Sequence, residues 1–251
     1  MLDVDGTLAP IARTPQAAVV PPATRETLDK LVRLPRVSVA LVSGRSAEDA
    51  LRLVSIKGVW ILGNHGLEMR EPNGVVITNA AAQDHAQSID EAARQLADVE
   101  RSTPGALVEN KRLTLSVHYR LVRPAEASAV VARAREVASR LGLRVTEGKK
   151  IVELRPPVDV NKGTAAVAFA ERVGAIGERG STLYAGDDLT DEDAFDALRT
   201  SSQGAVTIRI LAHDEDEAPV QTRAEFALRT PEELSRVLDW LVARRARGGR
   251  A

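Results

Sequence analysis

Residues 37–62 read VSVALVSGRSAEDALRLVSIKGVWIL. Val37 to Val42 and Val59 to Leu62 are apolar runs rich in β-branched residues, and Leu51 and Val54 between them keep helical spacing. Strand, helix, strand in that order points to parallel strands joined by a covering helix. The pattern extends both ways. Leu28, Leu31 and Val32 mark a helix upstream, and Met1-Leu2 is a short apolar start. Beyond residue 160 it returns, with a helix at Ala166, Phe169, Ala170 and Val173, a strand from Thr182 to Ala185, and a helix near Asp191 to Leu198. Strands follow at Ala205 to Ile210 and at Glu225 to Leu228. Thr230-Pro231-Glu232-Glu233 then carries a capping Thr/Glu pair with Pro at the first helical position. A stripe of Leu234, Val237, Leu238 and Leu241 follows it. The expected fold class is α/β, with a doubly wound, Rossmann-like parallel-sheet core.

The middle of the chain reads differently. Ala86, Ile89, Ala93 and Leu96 mark one helix, and Val130, Ala134, Val137 and Leu141 another. Between them Leu113, Leu115, Val117 and Tyr119 alternate with Arg112, Thr114, Ser116 and His118, which predicts a strand with one buried and one polar face. A second hairpin is expected to turn near Gly148 and to continue from Ile151 to Leu154. The expected organisation is a core of residues 1–80 and 156–251, with a smaller α+β cap domain inserted at 81–155.

Composition narrows the function. Hydrophobic residues make up 44% and charged residues 27%, the balance of a soluble globular chain. A formal net charge of −1 and only 3% aromatic residues argue against a nucleic-acid partner or an anionic membrane surface. The terminal cluster Arg244, Arg245, Arg247 and Arg250 has no aromatic company to change that, and the tail after Val242 is expected to fray. There is no cysteine, which excludes disulfides, a thiol nucleophile and a cysteine-based zinc site. No apolar run is long enough to span a bilayer, and the start lacks the regions of a signal peptide. A cytoplasmic monomer is expected. Asp214 to Glu217 reads as a solvated acidic loop.

Four polar stretches stand where strands end or helices start. Asp3-Val4-Asp5-Gly6-Thr7 follows the first strand signal. Two acids at the carboxyl end of a parallel strand sit where open α/β sheets bind ligands, although a strand leaving into a polar turn would read the same. Ser43-Gly44-Arg45 ends the second strand. A hydroxyl and free backbone N–H groups at a helix start suit a phosphoryl oxygen, and a plain strand-to-helix turn is the alternative. Asn161-Lys162-Gly163 opens a helix, where the dipole disfavours a cation unless it neutralises an anion. Gly186-Asp187-Asp188-Leu189-Thr190-Asp191 follows a strand and enters a helix. The preference of acids for helix starts accounts for Asp191 to Asp193. It leaves Asp187, at the strand end, unexplained.

Taken in order, Asp3-x-Asp5-Gly6-Thr7, Ser43, Lys162 and Gly186-Asp187-x-x-x-Asp191 resemble the four motifs of the haloacid-dehalogenase superfamily. The insertion between the second and third resembles its C2-type cap. The resemblance implies a HAD-type core that transfers phosphoryl groups. Asp3 would be the nucleophile and form an aspartyl-phosphate. Asp5 would protonate the leaving oxygen and then deprotonate water. Mg2+ would sit on Asp3, the Asp5 main-chain carbonyl and Asp187. Thr7, Ser43, Gly44 and Lys162 would hold the phosphate, with Asp188 and Asp191 behind the metal ligands.

Longer stretches resemble the trehalose-6-phosphate phosphatase family. They are Leu2 to Pro10, Val42-Ser43-Gly44-Arg45, Gly63-Asn64-His65-Gly66-Leu67-Glu68 and the string from Gly186 to Phe195. In the cap they are Ser116-Val117-His118-Tyr119-Arg120 and Gly148-Lys149-x-x-x-Glu153-x-Arg155-Pro156. The substrate implied is a small sugar phosphate, trehalose 6-phosphate. Arg45, Asn64, His65, Gly66, Arg112, His118, Lys149 and Glu153 are the candidates for pocket and sugar contacts. Lys149 and Glu153 share strand parity and are expected on the polar face, where His, Lys and Glu would serve the sugar hydroxyls. A half-exposed sheet carries a polar face in any case. The alternatives are a related C2-cap phosphatase acting on sucrose phosphate, mannosyl-3-phosphoglycerate or a hexose phosphate, or a non-catalytic binding domain on the same fold. Only Met1 and Leu2 precede Asp3, fewer than the roughly five residues of an ordinary strand, so an internal or trimmed start is expected.

Overall fold

The computed structural model describes residues 1–178, 180–211 and 221–248. Asp214 to Glu217 and Arg250 lie outside the described residues. The chain begins β1 (Leu2–Asp3), α1 (Pro22–Val32), β2 (Ala40–Val42), α2 (Ala47–Val54), β3 (Trp60–Gly63), β4 (Glu68–Arg70) and β5 (Val76–Thr78). It continues with α3 (Ala80–Gln83), α4 (Ala86–Ser102), β6 (Leu107–Asn110), β7 (Leu115–His118), α5 (Pro124–Arg140), β8 (Arg144–Gly148) and β9 (Ile151–Arg155). It closes with α6 (Lys162–Arg172), β10 (Thr182–Gly186), α7 (Leu189–Ser201), β11 (Ala205–Ile210), β12 (Phe226–Leu228) and α8 (Pro231–Gly248). Two compact units result, Met1–Ile77 with Val160–Ala251, and Thr78–Asp159.

The first unit is the doubly wound core expected from the sequence. Its sheet runs β12-β11-β10-β1-β2-β3-β4-β5, parallel from β12 through β3 and antiparallel from β3 to β4. Successive side chains of β2 and β3 serve opposite faces. Leu41 and Ile61 join one cluster with Leu28, Ala50, Val54, Leu234 and Leu238 of α1, α2 and α8. Ala40, Val42 and Leu62 join the other with Ala166, Phe169, Ala194, Phe195 and Leu198 of α6 and α7. Helices on both faces explain why these strands read as unbroken apolar runs. Strand order departs in both directions from β1, so β1 marks the switch point where such sheets open toward a ligand. The Arg/Gly tail differs from expectation, since α8 stays helical to Gly248.

The second unit is an antiparallel sheet in the order β6-β7-β9-β8. Ile89, Leu96, Val130 and Val137 of α4 and α5 pack with Leu115, Val117, Val152 and Leu154 of the sheet. Two expectations about its polar face fail locally. Arg112 is not in the strand, because the chain turns from Lys111 to Thr114 with Arg112 at φ 71°. Lys149 lies in the two-residue turn between β8 and β9, where Lys150 takes φ 64°. Lys149 and Glu153 therefore do not share a strand face.

Candidate active site

β1 delivers Asp3 to the carboxyl end of the sheet, paired with Val42 of β2 and almost wholly buried. Lys162 meets it there. As the first residue of α6, behind an Asn161/Thr164 capping box, Lys162 is the cation that the helix dipole disfavours. Two carboxylates compensate. Its Nζ donates to Asp3 Oδ1 at 2.7 Å and to Asp191 Oδ1 at 2.8 Å.

Asp191 is saturated. Its Oδ1 also accepts from the Tyr184 hydroxyl at 2.7 Å, and its Oδ2 accepts from the Asp187 and Asp188 N–H groups at 3.1 and 3.0 Å. Four donors use the roughly four lone-pair positions of a carboxylate. Asp191 is thus an anchor for Lys162 and for the Asp187–Asp188 turn. Asp188 is the N-cap of α7, its side chain accepting from Leu189 N–H. Glycines make the close approaches possible. A Cβ on Gly186 would come within 2.2 Å of Asp191 Cγ. One on Gly6, itself at φ 91°, would come within 2.2 Å of Asp187 Oδ2.

Burial pushes the Asp3 carboxyl well above the usual carboxylate range; Lys162 pulls it back, and Asp191 and Asp187 push it further up. Burial would lower the Lys162 ammonium, but Asp191 and Asp3 together outweigh that and raise it above the ordinary lysine value. Burial, with Asp191 next, also raises the Tyr184 phenol. Lys162 stays charged and Tyr184 stays a donor.

The acidic side chains of Asp3, Asp187 and Asp191 offer oxygens all within 4.8 Å of one another. Because Asp191 is already saturated, Asp3 and Asp187 are the side chains that suit a metal. Thr7 Oγ1 donates to Asp187 Oδ1 at 3.3 Å. An all-oxygen donor set fits a hard cation, and three clustered buried carboxylates with one ammonium to balance them favour further positive charge.

The second strand end builds a loop beside Asp3. The Ser43 hydroxyl accepts from Arg45 N–H at 3.1 Å. Asn64 and His65 N–H donate to the Arg45 and Ser43 carbonyls. Asn64 Nδ2 and Ala47 N–H both donate to Glu68 Oε1, at 2.8 and 2.7 Å. Asn64, His65 and Gly66 take successive left-handed conformations, with φ 49°, 56° and 97°. A Cβ on Gly44 would meet His65 Nε2 at 2.6 Å, and one on Gly66 would meet Ala165 Cβ at 2.3 Å. The Asn-His-Gly turn therefore shapes the Ser43–Ala47 loop. Arg45 reaches back to Asp5, with Nε to Oδ2 at 2.6 Å and Nη2 to Oδ1 at 2.7 Å.

In the second unit Glu153 is 5% exposed and accepts from Lys111 Nζ at 2.7 Å. Thr114 and Ser116, expected on an accessible face, are fully buried beside it. His118 Nε2 lies 3.0 Å from Glu109 Oε2. Sequence reasoning missed Lys111, Tyr184, the structural part of Glu68, and Arg209. Arg209 Nη1 holds Glu192 Oε1 at 2.7 Å and the Asp188 carbonyl at 3.1 Å. Tyr184 had a signal, as one of only two tyrosines in the chain, within a strand that leads into the acids. A cavity of about 710 Å3 lies instead at the amino ends of the strands, among Val39, Phe169, Leu183 and Leu238, and its lining includes none of these groups.

Three kinds of likeness accompany this geometry. The sequence profile of the family described as Trehalose-phosphatase matches residues 1–232. An uncharacterized glycosyl hydrolase of Mycobacterium tuberculosis is 40% identical over 244 residues, 96% of this chain and 18% of that protein. A trehalose-phosphate phosphatase of Mycobacterium leprae is 37% identical over 238 residues, 93% of this chain and 54% of that one. The chain thus spans about half, or much less, of the length of these curated relatives. A crystal structure of a trehalose-6-phosphate phosphatase related protein superposes with a TM-score of 0.84 at 26% identity, covering 98% of each chain.

Proposed function

The chain belongs to the trehalose-phosphatase family, and we propose that it hydrolyses trehalose 6-phosphate to trehalose and inorganic phosphate. The observation that carries this reading is the Lys162 ammonium bridging Asp3 and Asp191 at the switch point, with Asp187 alongside. An Asp3 oxygen attacks phosphorus, and the bond from phosphorus to the sugar oxygen breaks. Asp5 gives its proton to that oxygen. Water then attacks the aspartyl-phosphate, losing a proton to Asp5 and freeing Asp3 and phosphate. Lys162, Ser43, Thr7 and the Gly44 N–H hold the phosphoryl oxygens while charge redistributes. Mg2+, held by Asp3, Asp187 and the Asp5 carbonyl, would supply neutralising charge to those oxygens.

The net charge of −1 and the paucity of aromatic residues favour a small-molecule substrate over nucleic acid. No described helix is long and apolar enough to cross a membrane. A cytoplasmic monomer is the simplest setting for this activity.

Phosphate release should be measured over a panel of sugar phosphates, with and without Mg2+. Trehalose 6-phosphate is expected to be the best substrate, with turnover stopped by EDTA and restored by Mg2+. Full turnover after exhaustive chelation would reject the metal. A faster reaction with sucrose phosphate, mannosyl-3-phosphoglycerate or a hexose phosphate would reject the sugar.

A further inference from the structure

Asp5 stands on a chain that is already turning, one residue before Gly6 at φ 91°, and its side chain is 36% exposed. An aspartate in that setting has rotamers to choose from. The structure removes the choice. Both Asp5 oxygens are taken by one guanidinium, through Arg45 Nε at 2.6 Å and Nη2 at 2.7 Å. Two parallel bonds to a planar fork fix direction as well as distance.

The fork is itself held. Arg45 Nη2 also donates to the Pro15 carbonyl at 2.9 Å. The Arg45 N–H is bound to the Ser43 hydroxyl, and its carbonyl accepts from Asn64 N–H at 2.7 Å. Its side chain is only 13% exposed. The loop that carries Ser43 thereby also fixes the direction of Asp5, which lies 40 residues earlier in the chain.

We propose that Arg45 is a positioning residue for Asp5, holding its carboxylate in place to take the proton of the attacking water, and that it does not bind the substrate. This rests on the phosphatase reading given above. The sequence suggested a different part for Arg45, as a pocket or sugar contact. The two parts separate in kinetics. A residue that binds substrate raises KM when removed, whereas one that only orients a catalytic group lowers kcat.

The test is a double-mutant cycle on the full chain with Mg2+ and trehalose 6-phosphate, using Asp5→Asn, Arg45→Ala and both together. Arg45→Ala is expected to lower kcat by about 100-fold, the scale of a misplaced catalytic group, with KM nearly unchanged. The double variant is expected to be no slower than Asp5→Asn alone, because Arg45 acts only through Asp5. Arg45→Lys keeps the charge and loses the fork, so it should recover part of kcat. It also carries the test if the alanine variant does not fold. A raised KM with intact kcat in either Arg45 variant, or losses that multiply in the double variant, would overturn the proposal while leaving the phosphatase reading standing. A parent protein that releases phosphate from no sugar phosphate would overturn both.

Discussion

Asp3→Asn is expected to abolish turnover while leaving the fold intact. The amide keeps the shape of the carboxylate and can still accept from Lys162, but it offers no anionic oxygen to phosphorus. Removal of a covalent nucleophile costs on the order of 10⁴-fold or more in kcat. The pH dependence of stability should change as well. Asp3 titrates above its ordinary value of 3.8 in the folded chain, because burial disfavours its charge. Between those two values the folded state keeps a proton that the unfolded chain has released. The stability from Asp3 is therefore present below about pH 3.8 and lost as pH rises through the raised folded value. Asparagine has no such dependence. In metal-free buffer the stability of the variant relative to the parent should grow as pH rises above about 3.8. Chemical denaturation at several pH values, beside a phosphate-release assay, checks both halves. A folded variant with near-parental turnover would remove Asp3 from the chemistry.

Lys162→Met should be the most damaging change to the core. Methionine fills similar space, but Asp3 and Asp191 would lose the ammonium that each holds at 2.7 and 2.8 Å. All three side chains are essentially buried. Removing one partner of a buried ion pair costs about 3–5 kcal/mol, a large share of the roughly 5–15 kcal/mol that keeps a domain folded. Turnover should disappear as well, since the proposed mechanism relies on that cation to hold the phosphoryl oxygens. Urea denaturation in EDTA reads the first effect. A loss below about 1 kcal/mol, the scale of an exposed pair, would show that the triad is not the buried unit described.

How legible all this was in the sequence depended on the range of the interaction. The core could be read because each chemical residue sits at a strand end or a helix start, and local pattern reports those places. Asp187 is the clearest case, an acid at a strand end that helix-start preference does not account for. The Arg45 fork was not legible, because no local pattern links residue 45 to residue 5. In the second unit one turn misled the reading. With Arg112 in a left-handed conformation, strand alternation does not extend back past Leu115, and a one-residue change of register exchanges faces. Lys111, which no pattern singled out, reaches Glu153. The polar face proved to be a buried ion pair with two buried hydroxyl residues, an arrangement that alternation alone cannot distinguish from a wet surface.

Phosphate is expected to pass through Asp3 on its way to water. Acid quenching during steady-state turnover of trehalose 6-phosphate with Mg2+, followed by peptide mapping, tests it most directly. The expected result is a phosphoryl adduct on the peptide containing Asp3, absent from Asp3→Asn and absent without Mg2+. Phosphate release at the parental rate with the adduct on another residue would assign the nucleophile elsewhere.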